Sequence, residues 1–258
     1  MNYIGIDIGS TCAKTVVLDK NKEIIQEFVQ PTGWSSVDTA EEIRQKLEFA
    51  GINLSNESSH CVATGYGRIS VPYADKTVTE ITCHALGAVH LFQHPDLTVI
   101  DIGGQDTKII QIEQGFVKDF IMNDKCAAGT GRFLEVMANT LSLRPNEMFD
   151  LARLGSDTTI SSMCTVFAES EVIGLIGKGE PKENIAYAVV NSTIRKVAAQ
   201  VSRMNGEMFT FCLTGGLCEC DYIREALSKE LGKDVFSCPD ARYAGAIGAA
   251  LSAMKVRR

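Results

Sequence analysis

The sequence of 258 residues has no long hydrophobic run and no concentration of positive charge. No stretch reaches the roughly 18 apolar residues of a membrane-spanning helix, and the first residues lack the basic, apolar and small-residue regions of a secretory leader. Lysine and arginine are scattered and the formal charge is −7, whereas a nucleic-acid surface needs clustered basic residues. We therefore expect a cytoplasmic protein that binds neither membranes nor nucleic acids.

Three local motifs are also missing. There is no Walker-type loop, Gly-x-x-x-x-Gly-Lys-[Ser/Thr], which excludes the common P-loop ATPases. The first predicted strand is not followed by the Gly-x-Gly-x-x-Gly of a dinucleotide-binding fold. The nine cysteines include no Cys-x-x-Cys pair. In a reducing compartment they are expected to be free thiols, and most of them to be small buried side chains.

A pattern of one buried strand, a glycine turn and two further strands occurs twice. Residues 3–8 form the first such strand, and a helix over about 37–50 follows its meander. Leu97–Ile102 starts the second copy, whose further strands are Asp106–Glu113 and Phe116–Met122. From 127 to 205 the chain is largely helical. The repeat predicts an α/β fold of two interleaved lobes with a cleft between them.

Three glycine turns each follow a predicted strand: Asp7–Thr11, Asp101–Asp106 and Thr214–Gly216. Glycine lets the backbone approach a phosphate, and successive N–H groups form a concavity that binds anions. The aspartates at the strand ends offer oxygen ligands for Mg²⁺, which keeps much of its hydration shell. One such turn is commonplace, but three in this order favour a nucleotide site.

Particular roles follow from these positions. Lys14 is placed to reach a β- or γ-phosphate, and Gln105 to orient the attacking water. The candidate catalytic residues are Asp7, Asp101 and Gln105, and the candidate nucleotide-binding residues are Gly9, Ser10, Thr11, Cys12, Ala13, Lys14, Gly103, Gly104, Gln105, Asp106, Thr214, Gly215, Gly216 and Arg242.

Two cysteines, Cys126 and Cys164, lie in unusual segments, each expected to precede a helix directly. The positive end of a helix dipole and the nearby N–H donors favour a thiolate that binds metal. An iron–sulfur cluster usually takes four thiolates, and one chain offers two here. A two-fold symmetric dimer would supply the full set. From the residues alone, buried structural thiols remain the alternative.

Five segments of the chain resemble the signature segments of the activators of 2-hydroxyacyl-CoA dehydratases, which belong with the BadF/BadG/BcrA/BcrD ATPases. The resemblance runs from residue 3 to about 254 and implies the actin, Hsp70 and sugar-kinase fold, in which two ribonuclease H-like lobes enclose ATP. The segments are ATGYGR (63–68), DIGGQD (101–106), NDKCAAGTGRF (123–133), CTVFAESEV (164–172) and YAGAIG (243–248).

The resemblance implies that Cys126 and Cys164 bind one oxygen-sensitive [4Fe–4S] cluster per homodimer. It also implies ATP or ADP with Mg²⁺, a 2-hydroxyacyl-CoA dehydratase as partner, and ferredoxin or flavodoxin as electron donor. ATP hydrolysis would drive one electron uphill to the dehydratase. The expected division is lobe I at 1–95, with the helix at about 243–258 packed back on it, and lobe II at 96–242, which contains both cysteines.

Several alternatives stay open. The chain is also similar to ATPase subunits of benzoyl-CoA reductases, and its fold class includes small-molecule kinases and proteins that only assemble. Cys218 and Cys220 depart from the family pattern and leave a second metal site open. Cys12 lies in the first glycine turn, where a small residue suffices. Core packing is the expectation for the remaining cysteines, Cys61, Cys83, Cys212 and Cys238.

Overall fold

The computed structural model describes residues 1–56, 58–161, 164–205 and 209–256. In these residues the chain forms an α/β fold with two five-stranded sheets, as the sequence predicts. The strands are β1 (Asn2–Ile8), β2 (Cys12–Leu18), β3 (Ile24–Pro31), β4 (Ser59–Thr64), β5 (Lys76–Thr77), β6 (Leu97–Ile102), β7 (Thr107–Glu113), β8 (Phe116–Asn123), β9 (Thr210–Gly215) and β10 (Val235–Phe236). The α-helices are α1 (Ser36–Phe49), α2 (Glu80–Phe92), α3 (Gly131–Thr140), α4 (Pro145–Ala152), α5 (Thr165–Gly177), α6 (Lys182–Val201), α7 (Asp221–Leu231) and α8 (Ala244–Ala253).

Contacts between residues divide the chain into two compact units. Unit 1 comprises Met1–Leu97, Ile110–Lys118 and the chain from Cys238 onward, and unit 2 comprises Thr98–Ile109 and Asp119–Ser237. The lobe boundaries expected from the sequence, at 95/96 and about 243, stay a prediction. They divide the chain by the repeated fold pattern, whereas the two units are defined by contacts between residues.

The sheet of unit 1 has the strand order β3-β2-β1-β4-β5. The pairs β1–β2 and β2–β3 are antiparallel, and β1–β4 and β4–β5 are parallel. The central strand β1 is apolar almost throughout because both its faces are covered: Ile4 and Ile6 are fully buried, in one cluster with Ile43 and Leu47 of α1. The register places Asp7, near the end of β1, opposite Lys14 of β2.

The C-terminal helix α8 packs tightly on α2, as its alanine and glycine content predicts. A Cβ on Gly87 would overlap the carbonyl oxygen of Ala244, and one on Gly248 would overlap that of Cys83. Because these atoms belong to the main chain, they cannot move aside as a flexible side chain can. The short side chains therefore set the distance between the two helices.

The second sheet repeats the strand order of the first, β10-β9-β6-β7-β8. In this repeat β6 takes the place of β1, and β9, like β4, follows a chain segment that contains helices. The predicted duplication of strand, turn and meander is therefore confirmed.

Two predicted boundaries shift. The strand predicted at Met208–Leu213 is observed at Thr210–Gly215, and Met208 lies outside the described residues. Strand β2, predicted to begin at Lys14, begins already at Cys12, so that Cys12 belongs to a strand rather than to the first glycine turn. Among the helices that the structure describes, none is both long enough and apolar enough to cross a lipid bilayer.

Candidate nucleotide-binding site and cysteine loops

The first glycine turn of unit 1 closes the hairpin between β1 and β2. The N–H of Gly9 donates to the carbonyl oxygen of Cys12 at 3.1 Å, and a Cβ on Gly9 would lie only 3.1 Å from the same oxygen. The hydroxyl of Thr32 donates to the Gly9 carbonyl oxygen at 2.7 Å. Ser10 and Thr11 at the tip are exposed, so their N–H and hydroxyl groups are available to a phosphate.

A carboxylate lies beneath this turn. Asp7 is 4% exposed, and its Oδ2 is 4.0 Å from Nε2 of His84, which lies 3.6 Å from Oε1 of Glu80. His84 is itself buried. Unit 1 thus places a buried acid with a neighbouring imidazole at the base of the exposed turn.

The second glycine turn, in unit 2, has the same construction. The N–H of Gly103 donates to the carbonyl oxygen of Asp106 at 2.9 Å, and Gln105 at the tip is exposed. Asp101 beneath it is 2% exposed and accepts a hydrogen bond from the hydroxyl of Thr214 at 2.8 Å. The third predicted turn, Thr214–Gly216, is therefore joined to the second.

Lys108 also belongs to this cluster, although the glycine-turn motifs of the sequence do not predict it. Its ammonium nitrogen lies 3.3 Å from Oδ2 of Asp101 and 2.9 Å from Oδ1 of Asp106, although the side chain is only 1% exposed. The duplication contains the signal that identifies it, because Lys108 stands to Asp101 as Lys14 stands to Asp7.

A fourth glycine turn was also missed, at the end of β4. Gly65 has φ +81° and Gly215, at the end of β9, has φ +85°, a region that side chains other than glycine rarely adopt. A Cβ on Gly65 would lie 2.6 Å from the carbonyl oxygen of Ile8, and one on Gly215 2.6 Å from that of Ile102. Each unit therefore has a Thr-Gly turn against its Asp-bearing strand.

The predicted nucleotide residues fall into two groups, and their roles remain predictions. Arg242 lies in a short 3₁₀ helix, Pro239–Tyr243, with its guanidinium carbon 5.9 Å from the centre of the Tyr243 ring. The predicted residues of unit 1 are Asp7, Gly9, Ser10, Thr11, Cys12, Ala13, Lys14 and Arg242, and those of unit 2 are Asp101, Gly103, Gly104, Gln105, Asp106, Thr214, Gly215 and Gly216.

Cys126 lies in an ordered loop of unit 2. Asn123 donates through its side-chain amide to the carbonyl oxygens of Cys126, at 2.8 Å, and Ala128, at 3.0 Å. The expectation that Cys126 directly precedes a helix is wrong, since α3 begins only at Gly131. The reason is local: Gly129 has φ +86°, which a right-handed helix does not allow.

Cys164, by contrast, is the N-cap residue of α5, so the prediction is confirmed for this cysteine; Met163 before it lies outside the described residues. Its carbonyl oxygen accepts the N–H of Ala168 at 2.8 Å, and its side chain is exposed. The carboxylate of Glu171 accepts the N–H of Ser161 at 3.1 Å, which links Ser161 to α5.

The other cysteines differ from these two. Cys61, Cys83 and Cys212 are buried, as predicted, whereas Cys238, for which the same was expected, is only half-buried. Burial raises the pKa of the Cys83 thiol to about 12, so this residue stays protonated at neutral pH and is a poor metal ligand. Cys218 is buried, and burial also raises the pKa of Cys220. These environments favour packing over a second metal site.

The chain is similar to known ATPases over nearly its whole length. A family model described as the BadF/BadG/BcrA/BcrD ATPase family matches residues 4–253. The chain belongs to this family. It is 43% identical to an (R)-2-hydroxyglutaryl-CoA dehydratase activating ATPase of Acidaminococcus fermentans, over 98% of this chain and 96% of that protein. It is 40% identical to an activator of lactoyl-CoA dehydratase of Anaerotignum propionicum, over 98% and 97%.

Solved structures confirm the predicted fold. The activator of the 2-hydroxyisocaproyl-CoA dehydratase from Clostridium difficile with bound ADPNP superimposes with a TM-score of 0.88 at 34% identity, covering 100% of this chain and 99% of that one. A ROK family glucokinase from Streptomyces griseus gives a TM-score of 0.60 at 16% identity, over 99% and 100%. The second likeness concerns the fold alone, which this member of the ATPase family shares with that sugar kinase.

Proposed function

We propose that this ATPase activates a 2-hydroxyacyl-CoA dehydratase by coupling ATP hydrolysis to the transfer of one electron. The observation that supports this most directly is the setting of Cys126 and Cys164. One is held in an ordered loop and the other is exposed at the start of α5, in a chain similar over nearly its whole length to dehydratase activators. The same proposal includes a cytoplasmic location for the protein and ferredoxin or flavodoxin as its electron donor.

The two cysteines fit half of a [4Fe–4S] site. Thiolates are the usual cluster ligands, four in number, and of the nine cysteines only Cys164 is exposed, whereas Cys126 is half-buried. A homodimer would bring four such thiols together. When bound, the cluster supplies a one-electron carrier of low potential. Asn123 holds the Cys126 loop in place, and Glu171 links Ser161 to α5.

The glycine turns supply the nucleotide chemistry in this proposal. The exposed tips at Ser10 and Gln105 present N–H groups to phosphate oxygens. The buried carboxylates of Asp7 and Asp101 would hold Mg²⁺ through water, and Lys108 keeps the Asp101 carboxylate in position. Gln105 orients the water that attacks the γ-phosphate. For the nucleotide to control electron transfer, ATP and ADP must differ in their affinity for the conformation that docks on the dehydratase. A nucleotide that binds two conformations equally does not change their equilibrium.

Helix α5 offers a surface for the second copy. It continues directly from Cys164, and its side chains Val166, Phe167 and Ile173 are 66%, 67% and 57% exposed. An apolar face of this kind on a surface helix is typical of a protein contact. We assign it to the homodimer because it adjoins the thiol that the two copies would share.

A charged residue on this face should separate the copies. The variant Phe167→Glu is expected to be monomeric and to lose its iron, because it places a carboxylate in an apolar contact. Size-exclusion chromatography with light scattering measures the mass. Phe49→Glu is the control, since Phe49 is 97% exposed at the end of α1 and should change neither property. A dimer that persists in Phe167→Glu would show that α5 does not form the contact.

Iron content tests the proposed cluster itself. Protein purified without oxygen is expected to contain about two irons and two acid-labile sulfides per chain. Cys126→Ser and Cys164→Ser should each lose nearly all of it, whereas Cys220→Ser should retain it. Iron retained in both of the first two variants would mean that other residues are the ligands.

Other outcomes would decide between the alternatives. ATP-dependent activation of a separately purified dehydratase is expected of an activator, whereas a stable complex with different subunits would favour the benzoyl-CoA reductase type. Absence of iron, even after anaerobic reconstitution, would remove the redox proposal. The kinase alternative would then be tested by incubating the protein with ATP and small hydroxy acids.

A further inference from the structure

The second glycine turn is hydrogen-bonded directly to the start of α3. The N–H of Gly131 donates to the carbonyl oxygen of Gly103 at 2.9 Å, and the N–H of Arg132 donates to that of Gly104 at 2.8 Å. The first N–H groups of a helix have no partner within it, and here the turn satisfies two of them. The contact is close, because a Cβ on Gly131 would lie 3.2 Å from the Gly103 oxygen.

A side chain makes a second link from the same turn. Thr107, the first residue of β7, is fully buried, and its hydroxyl donates to the carbonyl oxygen of Gly129 at 2.6 Å. The next residue, Thr130, donates through its hydroxyl to the carbonyl oxygen of Ala127 at 2.7 Å. The segment from Ala127 to Gly131 is thus bonded to the turn and also to itself.

The links continue to the cysteine. Asn123 bridges the carbonyl oxygens of Cys126 and Ala128, so the main chain of Cys126 belongs to the same hydrogen-bonded assembly as Gly103 and Gly104. All of these residues lie in unit 2. A shift of the turn therefore has a short, continuous route to the cysteine loop.

The matching turn of unit 1 is held differently. The Gly9 carbonyl oxygen, which corresponds to that of Gly103, accepts from the side-chain hydroxyl of Thr32. That hydroxyl belongs to a residue that precedes α1, whereas the donor to Gly103 is the first residue of α3. In unit 2, which contains Cys126 and Cys164, the glycine turn is therefore bonded to the start of a helix, whereas in unit 1 it is bonded to a residue that precedes a helix.

We infer that Thr107 and Gly131 are positioning residues that make the geometry of the Cys126 loop depend on the phosphate bound at the second glycine turn. The inference rests on the proposed function and adds the route of coupling to it. A γ-phosphate that draws in the N–H groups of this turn also moves the carbonyls of Gly103 and Gly104, and with them the start of α3. Neither residue touches a reacting atom, so their loss should leave nucleotide affinity nearly unchanged.

The test measures how bound nucleotide changes the accessibility of Cys126. In the iron-containing dimer, the rate of iron removal by a chelator is recorded with ADP and with a non-hydrolysable ATP analogue. The parent is expected to show a ratio of at least about 5 between the two states, at the lower end of ordinary allosteric coupling. In Thr107→Val the ratio should fall to about 1, while both nucleotides bind as in the parent. Thr107→Ser keeps the hydroxyl and should restore the ratio.

Matched variants separate this coupling from general destabilisation. Tyr73→Phe removes a hydroxyl that donates to the carbonyl oxygen of Ala40 at 2.6 Å, so it loses a similar bond in unit 1 and should keep the parent ratio. Gly131→Ala, which presses a Cβ against the Gly103 oxygen, should lower the ratio and serves if Thr107→Val does not fold. A parent ratio in Thr107→Val, or in Gly131→Ala if that is the variant that folds, would overturn the inference.

A second readout distinguishes failure of the inference from failure of the proposed function. If the parent holds no iron, the proposed function fails, and the alkylation rate of Cys126 in the full chain is then followed by mass spectrometry with the same nucleotides. A nucleotide-dependent rate that Thr107→Val abolishes would support the link without any cluster. A rate that does not respond to nucleotide in the parent would overturn it.

Discussion

Gly248→Ala is expected to destabilise the protein by more than about 4 kcal/mol, a large part of the about 5–15 kcal/mol by which folded proteins are ordinarily stable. A Cβ at this position would overlap the carbonyl oxygen of Cys83 in α2. Overpacking a core usually costs about 1–3 kcal/mol when side chains can adjust. Here the obstacle is main chain in a helix that is itself packed on α8 through Gly87. Urea unfolding followed by circular dichroism gives the free energy.

Gly174→Ala is the matched control. Gly174 lies inside α5 and a Cβ there would meet no atom within 4 Å, so alanine should raise helix stability by up to about 1 kcal/mol. A Gly248→Ala protein with an unfolding free energy within about 1 kcal/mol of the parent would show that the two helices can separate at little cost. The close approach would then not be a requirement of the fold.

Much of the fold follows from two sequence signals. The runs at 3–8 and 97–102 are apolar without alternation, which indicates strands covered on both faces, and each ends in Asp-Ile followed by Gly. Because these signals recur in the same order, the duplication could be predicted before any contact was known. The helix of alanine and glycine at the C-terminus was predictable for a similar reason, since small residues permit close packing.

The site was only partly predictable. Lys108 lies within a run of strand residues and is 1% exposed, a setting that disfavours a charge unless it is paired; its pairing with Asp101 depends on the folded hairpin. Gly65 follows β4 directly and Gly215 is the last residue of β9, yet one glycine at a strand end predicts only a turn. Aligning the two halves residue by residue would have identified both.

The link between the second turn and the Cys126 loop could not be predicted from the sequence. The bonds from Gly131 and Arg132 to the turn join main-chain N–H and carbonyl groups, which every residue except proline possesses, so side-chain types give almost no signal for them. The start of α3 was misplaced for a related reason. Alanine at 127 and 128 has high helix propensity, but the positive φ of Gly129 keeps this segment a loop.

The largest effect expected at the site is that of Lys108→Met. Removing the ammonium group leaves the buried carboxylate of Asp101 and the half-buried one of Asp106 without the cation that bridges them. Breaking a buried ion pair in this way costs about 3–5 kcal/mol. In the proposed function the same change displaces the carboxylate that would hold Mg²⁺ through water, so ATP hydrolysis should fall about 100-fold or more. Denaturant unfolding and phosphate release measure the two effects.

Two further variants separate stability from catalysis. Lys118→Met breaks an ion pair with Glu113 whose side chains are 44% and 42% exposed, and it should cost less than about 1 kcal/mol. Asp101→Asn combined with Lys108→Met removes the buried charge of Asp101 and leaves only the half-buried one of Asp106, so it should recover most of the stability while hydrolysis stays lost. Recovery of hydrolysis in the double variant would show that Asp101 is not needed for the reaction. A Lys108→Met protein as stable as the parent would mean that the buried pair contributes nothing to folding, and the electrostatic account of this half-site would have to be abandoned.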